Sequence, residues 1–369
     1  MPPETVPRGV KPRDPARGTL SSPPDAVEPQ PLIHSLLRGE LTDLCRDLGQ
    51  PAYRAAQVWR WLYVQGAGDW PEFRNLPRTL IERLRNRFVL HSAVIAQTQG
   101  ETTATRKLLV ELPDGERVEE VLIPAPSRRT VCVSSQVGCR YNCAFCASGQ
   151  AGFRRNLQAG EMVGQVLLAG KVYAERPTHV VFMGIGEPLD NYDSVLRAVR
   201  IINDGEGLAV GARRITLSTC GIIPGIERLA TEGLQVELSV SLHAPDDALR
   251  SKLMPVNRKY TLPALLEACR VYTGNTKRII TFEYTLIRGV NDSTRQAEAL
   301  ARLLRGIPCR VNLIPLSPIE EFPEQPPAPA TAGTFIEVLD RAGINATLRV
   351  SKGCPLKAAC GQLRFSGKA

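Results

Sequence analysis

Cys139, Cys143 and Cys146 fall in the run Gln136-Val137-Gly138-Cys139-Arg140-Tyr141-Asn142-Cys143-Ala144-Phe145-Cys146, a C-x3-C-x2-C spacing. Three thiolates this close can hold three irons of a 4Fe-4S cluster and leave the fourth iron open to a small molecule. The competing reading is a structural zinc site with Cys132 as fourth ligand. Zinc ligands usually come as two short knuckles separated by a longer loop, and here the three cysteines share one loop with no second knuckle. The expectation is therefore a cluster ligated by Cys139, Cys143 and Cys146. Further on, Val180-Val181-Phe182-Met183 runs into Gly184-Ile185-Gly186-Glu187-Pro188. Glycines there let a ligand approach the backbone, and Glu187 can pair with an ammonium. Ser218, Ser241, His243 and Asn312 also stand at the ends of apolar runs. Each alone is as well explained by capping or loop satisfaction. Their repetition on one face is the signal.

Placing those residues on one face requires a particular fold. Apolar strand-like runs at 130–134, 179–183, 214–218, 237–242, 279–286, 310–314 and 346–350 alternate with helical patterns at 161–174, 192–203, 225–231, 263–272, 294–305 and 332–341. A βαβα series implies an α/β fold with a parallel sheet closed or nearly closed into a barrel. Function in such barrels gathers at the C-terminal ends of the strands. The cysteine loop follows the first strand and so joins that face. Ahead of it, Lys107–Leu112, a Pro113-Asp114-Gly115 turn and Arg117–Ile123 read as a β-hairpin.

Before the hairpin the pattern is helical. Leu36, Leu37, Leu41, Leu44 and Leu48 recur at helical spacing, and Ala55, Val58, Trp59, Leu62 and Tyr63 form a second stripe. A third helix over 79–87 carries Arg83, Arg85 and Arg87, with Arg78 just before it. The division expected is a disordered Pro-rich tail at 1–30, a basic helical accessory domain at 31–95, the hairpin linker at 96–125 and the barrel at 126–369. Residues 318–332 are proline-rich and are expected to form a flexible flap.

The chain has 369 residues, 43% of them hydrophobic, enough for a large catalytic domain and a smaller one. No stretch approaches the roughly 18 apolar residues of a membrane span. The N-terminus lacks the apolar segment of a signal peptide. Ten cysteines in so long a chain do not suggest a disulfide scaffold, so a reducing cytoplasm is expected. A net charge of +9 favours a polyanionic partner, above all nucleic acid. Aromatic residues are only 5%, which argues against a long base-stacking platform.

The cysteine spacing resembles the signature of radical S-adenosylmethionine (SAM) enzymes. Together with Val133–Cys139, Gly152–Leu157, Met183–Leu189, Ser241–Pro245, Gly289–Asp292 and Ala358–Leu363, it resembles the RlmN/Cfr family of radical SAM RNA methyltransferases, from about Ile33 to Leu363. The resemblance implies a partial (β/α)6 barrel and SAM used both as methyl donor and as radical source. It implies SAM contacts from Gly186, Glu187, Ser218, Ser241, His243 and Asn312. It also implies an S-methylated carrier at Cys360, a resolving thiol at Cys132 that ends in a transient Cys132–Cys360 disulfide, and a base at Glu119. Glu120 is adjacent, and the hairpin alternation puts the two carboxylates on opposite faces; the family register selects Glu119. The implied substrates are adenosines in 23S rRNA, near the peptidyl-transferase centre, and in tRNA, beside the anticodon. A reductant such as flavodoxin or ferredoxin is implied, and a monomer is expected. Phe153 leans towards methylation at carbon 2, as in RlmN, over carbon 8, as in Cfr. A non-catalytic RNA-binding protein with a structural metal and a radical SAM activase acting on a protein are the readings from other classes. Cys45, Cys220, Cys269 and Cys309 are expected to have no redox task. Cys354 departs from the family pattern and could form an off-pathway disulfide.

Overall fold

The computed structural model describes residues 30–90, 93–349, 353 and 356–364. The tail expected over 1–30 lies outside these residues except for Gln30, and so does Cys354.

Helices α1 (Arg38–Asp47), α2 (Tyr53–Arg60) and α3 (Arg78–Arg87) come first. The stripe read from the sequence is the buried one: Ala55, Val58, Trp59, Leu62 and Tyr63 all lie in the core. Leu36 and Leu37 precede α1 rather than belonging to it, and α2 continues as a π-helical turn, Trp61–Gln65. These helices do not stand apart from the rest. Ser35 Oγ accepts the Gly160 N–H at 2.9 Å, and Arg38 pairs with Asp204 at 2.9 Å. The described residues from Pro31 onward accordingly form one compact unit.

Four strands follow: β1 (Val94–Gln99), β2 (Arg106–Glu111), β3 (Arg117–Ala125) and β4 (Arg128–Cys132). The expected hairpin is β2–β3, and it is part of the main sheet, because β3 pairs antiparallel with β4. A small antiparallel pair, β5 (Gln136–Gly138) and β6 (Phe153–Asn156), brackets the cysteine loop and the short helix α4 (Ala147–Gln150).

The repeating part then runs α5 (Ala159–Tyr173), β7 (His179–Phe182), α6 (Tyr192–Asn203), β8 (Ile215–Thr219), α7 (Ile223–Leu229), β9 (Glu237–Ser241), α8 (Asp247–Leu253), α9 (Leu262–Thr276), β10 (Ile280–Leu286), α10 (Thr294–Leu303), β11 (Cys309–Pro315), α11 (Pro329–Arg341) and β12 (Asn345–Leu348). Strand order in the ten-stranded sheet is β1-β2-β3-β4-β7-β8-β9-β10-β11-β12. From β4 through β12 every pairing in it is parallel. Parallel strands flanked by helices are covered on both faces, and β10 is buried along its whole length.

The flap expected at 318–332 is tied down. Arg364 forms a two-pronged pair with Glu321, Gln362 Nε2 donates to the Pro318 carbonyl at 3.1 Å, and Arg288 N donates to the Gln325 carbonyl at 2.9 Å. Its last residues already belong to α11.

Candidate active site

The C-terminal ends of β7 to β11 surround a cleft of about 970 Å³, partly open to solvent. Cys139, Cys143 and Cys146 line it, together with Gly186, Glu187, Ser218, Ser241, His243 and Cys360. Residues read from separate stretches of sequence thus share one wall, as the strand-end argument requires.

The cysteine loop is held from three sides. Cys139 N donates to the Gly152 carbonyl at 2.8 Å, Ala144 N to Leu253 at 2.9 Å, and Ala147 N to Gly361 at 2.7 Å. Arg140 lies 4.0 Å over the Phe153 ring and pairs with Asp190, which also accepts from Tyr141 Oη at 2.9 Å. Burial pushes the Cys139 thiol up to about 12 and raises Cys143 as well. Thiols so placed ionise only against a strong local cation, which a thiolate-bound iron supplies.

The donor set suits a cluster better than one zinc ion. Cys139, Cys143 and Cys146 come from one short loop at the cleft wall, where each thiolate can take a different iron. Cys132, the fourth ligand of the zinc reading, lines a separate small pocket with Val121, Val181, Met183, Arg349 and Cys360.

Glu187 is buried; its Oε1 accepts from Leu189 N at 3.0 Å and its Oε2 from Cys220 N at 2.7 Å. Burial raises its carboxyl and these donors oppose the rise. The glycines before it also let two chain segments pack closely. A Cβ on Gly184 would stand 2.7 Å from the Val133 carbonyl, and one on Gly186, at φ +103°, would stand 2.6 Å from Gln136 Cβ. They admit the chain at 133–136 and also line the cleft, and Gln136 Oε1 accepts the Glu187 N–H at 2.8 Å.

His243 sits at φ +58° with its Nδ1 accepting from Thr285 N at 2.9 Å. Burial lowers its imidazole to about 3, and Arg250 adds to the shift. It is therefore neutral, with the proton on Nε2. The Phe145 ring of the cysteine loop meets it edge-on at 4.8 Å. Asn312 does not line the cleft: its Nδ2 donates to Glu283 Oε1 at 3.1 Å and its Oδ1 accepts from Thr347 at 2.8 Å. The residue it supports does line the cleft. Glu283 is buried, and its Oε2 has no partner among the described residues. A buried acceptor in that state suits a polar ligand. SAM, with its amino, carboxylate and hydroxyl groups, fits a wall that offers Glu187, Glu283, two serines and a neutral imidazole.

Cys360 lines both the cleft and the small pocket that holds Cys132. It is exposed, yet the protein around it raises its thiol, against the Arg349 guanidinium. Cys132 is buried and its thiol is pushed up to about 12 by desolvation, with Cys360 adding and Arg349 opposing. The Cys360 segment is clamped to α4 by Ser148 Oγ, which donates to the Leu363 carbonyl at 2.7 Å.

Strand register separates the two neighbouring glutamates. Val121 lies directly opposite Cys132 in the β3–β4 pairing. Side chains two apart share a face, so Glu119, Val121 and Cys132 look the same way, and Glu120 looks the other. Glu119 Oε1 is 2.8 Å from Lys107 Nζ, and its Oε2 accepts from Arg364 N at 2.8 Å, four residues after Cys360. Glu120 is fully buried with neither oxygen partnered among the described residues, and burial raises its carboxyl. Sequence reasoning missed Glu283 and Arg349, and it set Cys220 aside although Cys220 lines the cleft. An acidic residue inside the apolar run of β10 was the signal available for Glu283.

Residues 133–301 match the model of the radical SAM superfamily, and 33–90 match that of the ribosomal RNA large subunit methyltransferase N-terminal domain. The probable dual-specificity RNA methyltransferase RlmN of Symbiobacterium thermophilum is 47% identical over 329 residues, 88% of this chain and 89% of that protein. The protein of the same name from Moorella thermoacetica is 46% identical over 345 residues, 91% and 98% of the two chains. A crystal structure of a radical SAM methyltransferase from Sphaerobacter thermophilus superposes with TM-score 0.87 at 47% identity, covering 90% of this chain and 99% of that one.

Proposed function

Since this chain belongs to the RlmN family of radical SAM methyltransferases, we propose that it methylates carbon 2 of adenosine in 23S rRNA and in tRNA, with Cys360 as the methyl carrier. The observation that carries the reading is that Cys360 borders both the cysteine-lined cleft and the pocket of Cys132.

A 4Fe-4S cluster would be held by Cys139, Cys143 and Cys146, with SAM at Gly186, Glu187, Ser218, Ser241 and His243; together they would supply a methyl cation equivalent and, on one-electron reduction, a 5'-deoxyadenosyl radical able to take up a hydrogen atom. Carbon 2 of adenine is electrophilic and does not attack a sulfonium methyl. The Cys360 sulfur does, and becomes S-methylcysteine. Once that methyl has lost a hydrogen atom, its carbon adds to the purine and joins Cys360 to the RNA. The adduct would pass one electron to the oxidised cluster, and Glu119 accepts the ring proton. Its position on the face of β3 shared with Cys132 supports that role. The Cys132 thiolate then attacks the Cys360 sulfur. The sulfur–carbon bond breaks, its electron pair stays with the RNA carbon, that carbon takes a proton, and a Cys132–Cys360 disulfide remains. Arg349 borders both cysteines and stabilises the attacking thiolate.

The relatives are named as dual-specificity RNA methyltransferases, the family resemblance supplies 23S rRNA and tRNA as the two substrates, and the net charge of +9 suits RNA. A small electron-transfer protein such as flavodoxin or ferredoxin would reduce the cluster. Among the described residues no helix is long and apolar enough to cross a membrane. We place the enzyme in the cytoplasm as a monomer. The test is mass spectrometry of nucleosides from 23S rRNA and tRNA treated with the reduced, reconstituted enzyme. The expected product is 2-methyladenosine in both RNAs. Production of 8-methyladenosine instead would overturn the assignment of carbon 2 in favour of the Cfr-type reaction.

A further inference from the structure

Arg250, on α8, is 0% exposed. Its Nε donates to the Leu242 carbonyl at 3.2 Å and its Nη1 to Asn257 Oδ1 at 2.8 Å. Its Nη2 donates to the carbonyls of Cys220 at 2.8 Å and Ser241 at 3.0 Å. All four acceptors are neutral. Asp247 is reached only through Asn257, whose Nδ2 donates to its Oδ1 at 2.8 Å. A guanidinium does not shed its proton, and a buried charge without a counter-charge is costly.

Arg250 is also tied on two sides to the cysteine loop. Cys220, whose carbonyl Arg250 holds, lines the cleft with Cys139 and Cys143. Leu253, at the end of α8, accepts the N–H of Ala144, the residue after Cys143.

We propose that Arg250 is a positioning residue that ties the ends of β8 and β9 together and serves as the counter-charge of the thiolate-bound cluster, raising its reduction potential. This rests on the cluster assignment made above. A cluster held by three thiolates is anionic and gains a further negative charge on reduction. A fixed buried cation therefore favours the reduced form, as net charge and surroundings set such potentials.

The test is a redox titration followed by electron paramagnetic resonance on anaerobically reconstituted holoprotein without SAM, with iron and sulfide measured in every sample. Arg250→Gln should lower the midpoint enough to shift the reduced-to-oxidised ratio about tenfold at fixed potential, or about 59 mV for one electron. Arg250→Lys should keep the midpoint near wild type yet weaken SAM binding in equilibrium dialysis, because an ammonium cannot reproduce the fork. Asp247→Asn should raise the midpoint. A loaded Arg250→Gln protein with an unmoved midpoint overturns the inference alone, and so does an Arg250→Lys midpoint that falls as far as that of Arg250→Gln. If Arg250→Gln does not fold, the other two variants decide. A wild-type midpoint in Arg250→Lys with a rise in Asp247→Asn supports the inference; a fall in the first or no rise in the second overturns it. A wild-type chain that takes up zinc and no cluster overturns this inference and the functional reading together.

Discussion

Cys132 is a poor nucleophile as it stands. Its thiol is buried and pushed up to about 12, so near neutral pH nearly all of it is protonated. Because the folded value is raised, the thiolate fraction climbs with pH throughout the range below that value. Release of RNA from a preformed adduct should therefore accelerate about tenfold per pH unit between pH 7 and 9, where thiolate attack limits the rate. Stopped-time gels of the adduct would measure it, and a flat profile would reject thiolate formation at Cys132 as the limiting event. The residues that tune this step do not announce themselves in the chain. Arg349 follows β12 and reads locally as a polar strand-end residue. Arg250 reads as one more charge in a polar connection. Their roles come from packing against segments far away in sequence, which a linear pattern cannot display.

At the scale of elements, the strand ends at β7, β8 and β9 were legible because short stretches with aliphatic residues at alternate or adjacent positions recur between helical patterns. The strand β1 was not legible. Val94–Gln99 is mostly exposed and lacks alternation, so its backbone pairing with β2 is what defines it. The helix α8 was missed as well, since seven residues hold too little period to detect. The family register had pointed to Glu119 over Glu120, and the β3–β4 register puts Glu119 on the face of Cys132. The segment carrying Cys360 depends on one backbone conformation. Gly361 has φ +83°, and a Cβ there would stand 2.8 Å from the Phe145 carbonyl. A non-glycine residue in the left-handed region costs about 1–2 kcal/mol before that clash is counted. Gly361→Ala should therefore cut methyl loading of Cys360 at least about tenfold with iron content unchanged, as read by radiolabel from SAM. Normal loading would show that the segment's path is not critical.

Across the whole molecule, the basic helical segment and the cleft belong to one packed unit, the described residues from Pro31 onward. Arg78, Arg85 and Arg87 of α3 are exposed. Such a surface holds a polyanion through its phosphates, and each phosphate neutralised steepens the salt dependence. Changing these three to Ala should weaken tRNA binding. It should also flatten the plot of log affinity against log salt by roughly 0.7–0.9 for each phosphate no longer neutralised. An unchanged slope would place the RNA on another face. Composition had indicated a polyanion but not where it lies, because net charge carries no geometry.

The most direct measurement is peptide mass spectrometry of a Cys132→Ala enzyme incubated anaerobically with SAM, reductant and substrate RNA, then digested with protease and nuclease. The predicted result is a peptide with Cys360 joined through one methylene carbon to carbon 2 of an adenine, accumulating because no thiol can release it. Free methylated RNA formed at the wild-type rate, or an adduct at a residue other than Cys360, would contradict the account.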